Sequence, residues 1–188
     1  RAAELVYKDL TANGKEIRKE DLDQVLRNDI KLQNYVDIAF KEEFFHVALT
    51  EKPEYNGTQL INAKVITSYL RQLLRNDLQY APFFMEGMEK KVTEIIEIET
   101  SQGKLALNIG GTIDRIDSKD DTLRIVDYKT GGSPKTPENI KQLFTPADGR
   151  PNYIFQTFLY ASIMCRKQSL KVAPSLLYIH RAASETYS

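Results

Sequence analysis

The segment "GGTIDRIDSKDDTLRIVDYKTGG", residues 110–132, decides the fold of this chain. Its two halves, "TIDRID" and "TLRIVDY", are rich in β-branched residues, and the turn-forming "SKDD" separates them. This pattern predicts two consecutive strands that pair in antiparallel fashion. Because successive strand residues point to opposite faces, Asp127 and Lys129 project to the same side, just beyond the apolar Ile125.

The predicted turn also determines where a third charged residue lies. Asp114 precedes Asp127 by thirteen residues, and pairing across "SKDD" can bring the two carboxylates side by side. Two carboxylates with backbone carbonyls are the oxygen ligands that Mg²⁺ or Mn²⁺ prefers, and a lysine beside them can orient water or offset charge on a phosphate. The alternative is a simple ion pair between Asp127 and Lys129 at the end of the strand, which contributes little when exposed.

Composition indicates the class of protein but does not indicate which ligand it binds. The chain has 188 residues, of which 41% are hydrophobic, and its longest apolar runs fall well short of the roughly 20 residues needed to span a bilayer. We therefore expect no membrane partner. Lys plus Arg and Asp plus Glu both number 26, so net charge neither supports nor excludes a nucleic-acid partner. Since the chain begins with Arg1, we expect it to be part of a longer protein.

The single cysteine, Cys165, excludes an intrachain disulfide, a cysteine-only zinc site and a four-cysteine iron–sulfur cluster. No iron–sulfur cofactor is therefore expected. Cys165 lies in the apolar helical run "FLYASIMCRK", so a buried structural role is expected for it. A reducing, cytoplasmic location fits this cysteine usage.

Periodicity predicts a mixed α/β (α+β) chain in two parts. Residues 1–50 carry apolar residues at helical spacing and are interpreted as a helical appendage, and residues 51–188 as the core domain. The core begins with a long amphipathic helix over "TQLINAKVITSYLRQLLRND". Three strands in a meander, two helical segments ("TPENIKQLF" and "NYIFQTFLYASIMCRK") and a final strand, "APSLLYIH", follow it.

Three motifs in this order resemble the nuclease domain of the PD-(D/E)XK superfamily, of the RecB and AddB type. They are "GTIDRID", "IVDYKTGG" and "FQTFLYA". In that family the matching positions are Asp114 for the first aspartate, Asp127 and Lys129 for the acid–x–lysine motif, and Gln156 and Tyr160 for the glutamine–x₃–tyrosine motif. The resemblance implies a restriction-endonuclease-like core of one helix, three strands, a helix and a strand.

The resemblance runs from about Gly57 to His180, and the chain departs from the family pattern in its first core helix. Many relatives carry a metal-ligating histidine in the first core helix, four residues after a glycine, whereas this chain has Ile61 four residues after Gly57. Relatives also have a glutamate before the first strand, so Glu89 is expected to orient the site or to supply an outer contact. For Arg115 and Asp117 in "DRID", turn and ion-pair contacts are favoured, and contact of Arg115 with phosphate is the alternative.

Two main functions compete for this sequence. The resemblance implies a Mg²⁺- or Mn²⁺-dependent DNase in which Asp114 and Asp127 hold the metal, Lys129 assists hydrolysis, and Gln156 and Tyr160 guide DNA. Its expected setting is a helicase–nuclease in DNA repair, with the parent chain and a helicase subunit as partners. The second hypothesis, which the isoleucine in the first core helix motivates, is a catalytically degenerate DNA-binding or scaffolding module. A structural domain whose charges merely pair is a third.

Overall fold

The computed structural model describes residues 1–133, 135–145 and 151–181. Within these ranges the chain divides into two compact units, one of residues 1–85 with 179–181 and the other of residues 86–178. Across the described ranges, no helix combines the length and the apolar character needed to cross a membrane. The predicted boundary near residue 50 remains a prediction.

Helices dominate the first unit. Its elements are α1 (Ala2–Leu10), β1 (Glu16–Ile17), α2 (Lys19–Leu26), α3 (Asp29–Phe40), a π-helical turn (Lys41–Phe45), α4 (Gly57–Tyr80), the first residues of β2 (Phe83–Thr100) and a 3₁₀ turn (Ile179–Arg181). The expected helical character of the first fifty residues is confirmed with two corrections. The short strand β1 was not predicted, and a helix expected over "EDLDQVLRNDI" ends early because Asn28 caps the next helix, accepting the Lys31 N–H at 2.9 Å.

The long helix α4 was predicted from its periodicity and is confirmed. It begins with a capping box: the Asn56 side chain accepts the Gln59 N–H at 2.9 Å, and the Gln59 side chain accepts the Asn56 N–H at 2.8 Å. Leu70, Leu73 and Leu74 form its buried stripe, and within the unit α4 packs against α2 and α3. The burial of this stripe is the main apolar contribution of α4 to the unit.

The second unit contains the predicted meander and its covering helix. Its elements are the remainder of β2, β3 (Gly103–Lys119), β4 (Thr122–Lys129), α5 (Lys141–Phe144), α6 (Asn152–Cys165) and β5 (Lys171–Tyr178). The strands of the mixed five-stranded sheet follow the chain order β1 to β5. A two-residue turn joins β2 to β3, β3 pairs antiparallel with β4, and β4 pairs parallel with β5. The expected mixed α/β core of helix, three strands, helix and strand is confirmed.

Helix α6 covers the sheet of the second unit and completes its core. It packs on β3, β4 and β5. The buried cluster between them consists of Val92, Ile113, Ile116, Leu123, Ile125, Tyr160, Ala161, Ile163 and Met164. Because this cluster lies directly beneath the strand segments that carry the acids, it fixes the backbone on which the site is built.

Three local expectations were wrong. Glu89 does not precede the first strand but lies within β2, because that strand begins with the alternating buried Phe83 and Met85 and continues past the interrupting Gly87. The helix expected over "TPENIKQLF" contains only Lys141–Phe144. Cys165 is exposed rather than buried, because as the last residue of α6 it falls outside the helical stripe that faces the sheet.

Candidate active site

Strand register brings the two predicted acids together. Backbone pairing of β3 with β4 runs from Lys119 opposite Thr122 to Arg115 opposite Val126. At the next position the Asp114 carboxylate accepts the backbone N–H of Tyr128, with 2.7 Å between Oδ2 and the nitrogen. Since Tyr128 directly follows Asp127, this hydrogen bond fixes one carboxylate beside the other.

Asp127 lies at the end of β4 in an environment that disfavours its charge. The residue is buried, and its Oδ2 atom receives no well-directed hydrogen bond from the part of the chain that the structure describes, although the Nζ atom of Lys129 lies only 2.5 Å away. The contact is a close ion pair. Burial raises the pKa of the Asp127 carboxyl, Lys129 opposes that rise, and the nearby Asp114 adds to it.

Lys129 is held between a carboxylate and an aromatic ring. Its side chain is 15% exposed. Besides the ion pair with Asp127, its Nζ atom lies 3.9 Å from the ring centroid of Tyr153, within the range of a cation–π contact. The lysine thus reaches the edge of the site without being fully solvated.

Gln156 and Tyr160 share one face of α6, as their spacing predicted. Tyr160 is buried, and its hydroxyl receives a hydrogen bond from Gln156 Nε2 at 3.0 Å. A Cβ atom built at Gly111 would lie only 2.1 Å from the Tyr160 hydroxyl oxygen, so the missing side chain lets the tyrosine reach the β3 backbone. Tyr160 therefore links helix to strand, and the half-buried Gln156 holds its hydroxyl.

The other two predicted contacts lie elsewhere. The Arg115 side chain is fully buried and donates from Nε to Asp117 Oδ2 at 2.6 Å. Such burial rules out direct contact with phosphate in this conformation and favours the ion pair beside the site. Glu89 is exposed and has a left-handed backbone with φ of 48°. A site-orienting role for either residue remains a prediction.

Ile61, at the position of the family histidine, lies in the first turns of α4 within the first unit. It is 63% exposed. An isoleucine has no atom that can ligate a metal, so the helix contributes no ligand through this position.

The paired carboxylates fit a divalent cation that prefers oxygen ligands. Among the described residues no aligned donor reaches Asp127 Oδ2, and Asp114 lies near enough to add to the rise in the pKa of Asp127. Along the described ranges, no three side chains of His, Cys, Asp or Glu converge. Mg²⁺ typically binds through one or two carboxylates in this way.

The aromatic contact to Lys129 was not predicted from the sequence. Tyr153 lies in the first turn of α6, three residues before Gln156, so the two share one side of the helix. An aromatic residue one turn before the glutamine of the motif was a usable signal. The residues of α6 that face the candidate site therefore include Tyr153, one turn before the motif residue Gln156.

A family comparison supports the expectation from these motifs. The model of the PD-(D/E)XK nuclease superfamily matches residues 1–187, which is nearly the whole chain. No curated protein matches the sequence significantly. Members of this superfamily are generally nucleases, and they typically use divalent metal ions. Together with the mixed α/β core and the acids on its central strands, this match shows that the chain belongs to the PD-(D/E)XK nuclease superfamily.

Proposed function

We propose that this protein is a Mg²⁺- or Mn²⁺-dependent deoxyribonuclease, with Asp114 and Asp127 as metal ligands and Lys129 as the catalytic lysine. One observation carries the proposal. The Asp114 carboxylate is fixed by the Tyr128 N–H next to Asp127, whose buried oxygen lacks an aligned donor among the described residues and faces the ammonium of Lys129. A purely structural ion pair does not need a second carboxylate that raises the pKa of the first.

The reaction is hydrolysis of a phosphodiester. When bound, a divalent cation would lower the pKa of water and neutralise charge on the phosphate. In the step itself, water attacks phosphorus in line, one P–O ester bond breaks, and the departing oxygen takes a proton. The ammonium of Lys129 orients that water or donates to a phosphate oxygen as its negative charge grows, which lowers the barrier.

The α6 face supplies substrate contacts in this proposal. Gln156 is half-buried and already engaged with Tyr160, so its remaining amide capacity is available to a DNA phosphate or base. Tyr160 acts mainly by holding α6 against the strand at Gly111. Glu89 and Arg115 act indirectly, if at all, because the first is exposed and the second is sealed in an ion pair.

The biological setting is also a proposal. The motif set supports a RecB- or AddB-type domain of a larger helicase–nuclease in DNA repair, with its parent chain and a helicase subunit as partners. No iron–sulfur cluster is part of the proposal, because Cys165 is the only cysteine. Because Ile61 cannot ligate a metal, the proposed site has few protein ligands for its metal ion.

Cleavage of linear single- and double-stranded DNA with Mn²⁺ or Mg²⁺ tests the proposal. The Lys129→Ala variant should lose roughly 100- to 1000-fold in rate, as expected for loss of one transition-state donor. Lys104→Ala is the matched control, since Lys104 is an exposed lysine on the β2–β3 hairpin. It should cleave at the wild-type rate. The cleavage products also distinguish an exonuclease from an endonuclease.

Calorimetric titration with Mn²⁺ separates the two main hypotheses. The nuclease should bind Mn²⁺, and Asp127→Asn should weaken that binding. A protein that neither cleaves DNA nor binds Mn²⁺ but still binds DNA would contradict the proposal and favour the degenerate DNA-binding module.

A further inference from the structure

The ammonium of Lys129 has two anchors of different chemistry. One is the carboxylate of Asp127, at 2.5 Å, and the other is the ring of Tyr153, whose centroid lies 3.9 Å from Nζ. Both contacts lie within the second unit, and the lysine side chain is mostly buried between them. The ring face attracts a cation through its quadrupole at distances up to about 6 Å.

The two anchors respond differently to a metal ion. The Oδ2 atom of Asp127 that faces Lys129 is a carboxylate oxygen, which a divalent cation would also take. An aromatic face offers no lone pair to a hard cation and remains free for the ammonium. We propose that Tyr153 is a positioning residue that holds Lys129 at the catalytic edge when Asp127 is engaged with metal. This inference rests on the proposed nuclease function.

The placement of Tyr153 in α6 suits this role. Its backbone carbonyl accepts the Thr157 hydroxyl at 2.5 Å, and Thr157 is buried against the sheet side of the helix. Two turns later, Tyr160 fixes the same helix against the β3 backbone at Gly111. The ring is therefore positioned by a helix that is itself anchored to the strands of the site.

Tyr153 is 49% exposed as a residue, which leaves a second possibility to test. An exposed aromatic face beside a phosphate site could instead stack on a nucleobase. The two roles affect different kinetic constants. Anchoring Lys129 affects the chemical step and therefore kcat, whereas stacking on the substrate affects KM.

Two substitutions at this position test the proposal in steady-state cleavage of a labelled oligonucleotide at saturating Mn²⁺. Tyr153→Phe keeps the ring face and should retain activity within about twofold of wild type. Tyr153→Leu removes it and should lower kcat roughly tenfold with little change in KM. Full activity of the leucine variant, or a rise in KM alone, would overturn the inference. Equal loss in both variants would also overturn it, because the phenylalanine retains the proposed contact.

A second measurement does not depend on activity. In protein labelled with ¹³C at lysine Cε, the ring current of Tyr153 should displace the Lys129 signal, which Lys129→Ala identifies by its disappearance. The displacement should persist when Mg²⁺ is added to wild type and to Tyr153→Phe, and should be absent in Tyr153→Leu. A signal that returns to the ordinary lysine position on Mg²⁺ addition would contradict the inference.

The outcomes also separate this inference from the proposed function. If wild type cleaves DNA but the leucine variant is equally active, the inference alone fails. If wild type does not cleave DNA under any metal condition, the proposed function fails, and the positioning role fails with it whatever the signal of Lys129 shows.

Discussion

Two acid–base pairs with the same spacing lie on the central strands of this protein, in opposite surroundings. Arg115 and Asp117 are two residues apart on β3, as Asp127 and Lys129 are on β4. The first pair is completely buried, with both side chains 0% exposed. The second stands at the end of its strand, where the lysine reaches the edge of the site. The comparison separates a pair that is sealed in the fold from the pair to which the proposed function assigns catalysis.

Hydrogen bonding makes the difference. The Asp117 carboxylate accepts from Arg115 Nε at 2.6 Å and from Arg124 at 2.9 Å through Nε and 2.8 Å through Nη2. Among the described residues, the Asp127 Oδ2 atom is near the ammonium of Lys129, which is not well aligned with it, and near a second carboxylate, that of Asp114. A fully bonded acid is committed to the fold, whereas a poorly bonded one is available to a ligand.

The largest expected change in the free energy of unfolding concerns the buried pair of Arg115 and Asp117, called here the sealed pair. Asp117→Ala leaves two buried guanidinium groups without their shared carboxylate and should lower the free energy of unfolding by about 3–5 kcal/mol. Urea denaturation followed by circular dichroism measures it. Asp121→Ala, at the exposed turn before β4, is the control and should change stability by less than about 0.5 kcal/mol. A similarly small change for Asp117→Ala would contradict the structural role of this cluster.

Exchanging arginine and lysine sharpens the comparison. Arg124→Lys removes the two-pronged contact with Asp117 and should cost about 1.5–3 kcal/mol of stability, while leaving the residues of the site in place. Lys129→Arg should leave the unfolding free energy nearly unchanged but lower the cleavage rate by about 100-fold, because a planar guanidinium cannot replace the ammonium.

Denaturation and cleavage assays on both variants check this prediction. The informative result is a crossed pattern, in which one variant loses stability and the other loses activity. If both variants lose only stability, Asp127 and Lys129 form a second structural pair.

The smallest expected change in the free energy of unfolding concerns Asp127. Since burial raises its pKa and outweighs the attraction of Lys129, the ionised carboxylate destabilises the metal-free fold at neutral pH. Asp127→Asn should therefore raise the unfolding free energy at pH 7 by on the order of 1 kcal/mol, while it abolishes cleavage. Lys129 keeps its contact with Tyr153 in this variant. A loss of stability on this substitution would contradict the raised pKa of Asp127.

The same shift predicts a pH dependence. A carboxyl whose pKa is higher in the folded than in the unfolded state binds its proton more tightly when folded. Its favourable contribution to stability is therefore fully present below the unfolded pKa, near 3.8, and is lost as pH rises through the folded pKa. The stability difference between wild type and Asp127→Asn should accordingly grow with increasing pH over this window. Chemical denaturation at several pH values, with EDTA to exclude metal, measures it.

Local patterns were sufficient for much of the fold and for the juxtaposition of Asp114 with the strand segment that carries Asp127 and Lys129. Two-residue alternation and the turn at "SKDD" predicted β3 and β4, and their antiparallel register then brought Asp114 to Asp127. The face shared by Gln156 and Tyr160 followed from helical spacing. These predictions succeeded because they depend on contacts between neighbours in the chain or across one tight turn.

The errors arose where burial depends on distant parts of the chain. An ion pair of Arg115 with Asp117 was the favoured expectation, but its complete burial was not predicted, because it depends on Arg124 of the next strand joining the cluster. Cys165 was expected inside and is exposed, because the face of α6 that meets the sheet decides burial. Hydrophobicity and charge alone do not specify these outcomes.

The sequence by itself determined which residues alternate on each strand, where the tight turns fall and which acids can meet across them, since these follow from backbone geometry over a few residues. Only the tertiary structure decided which of the two acid–base pairs is sealed and which stays open. It also placed the ring of Tyr153, 24 residues further along the chain, over Lys129. The reason is physical: burial and the number of available donors depend on how α6 packs on the sheet, and no local pattern records that packing.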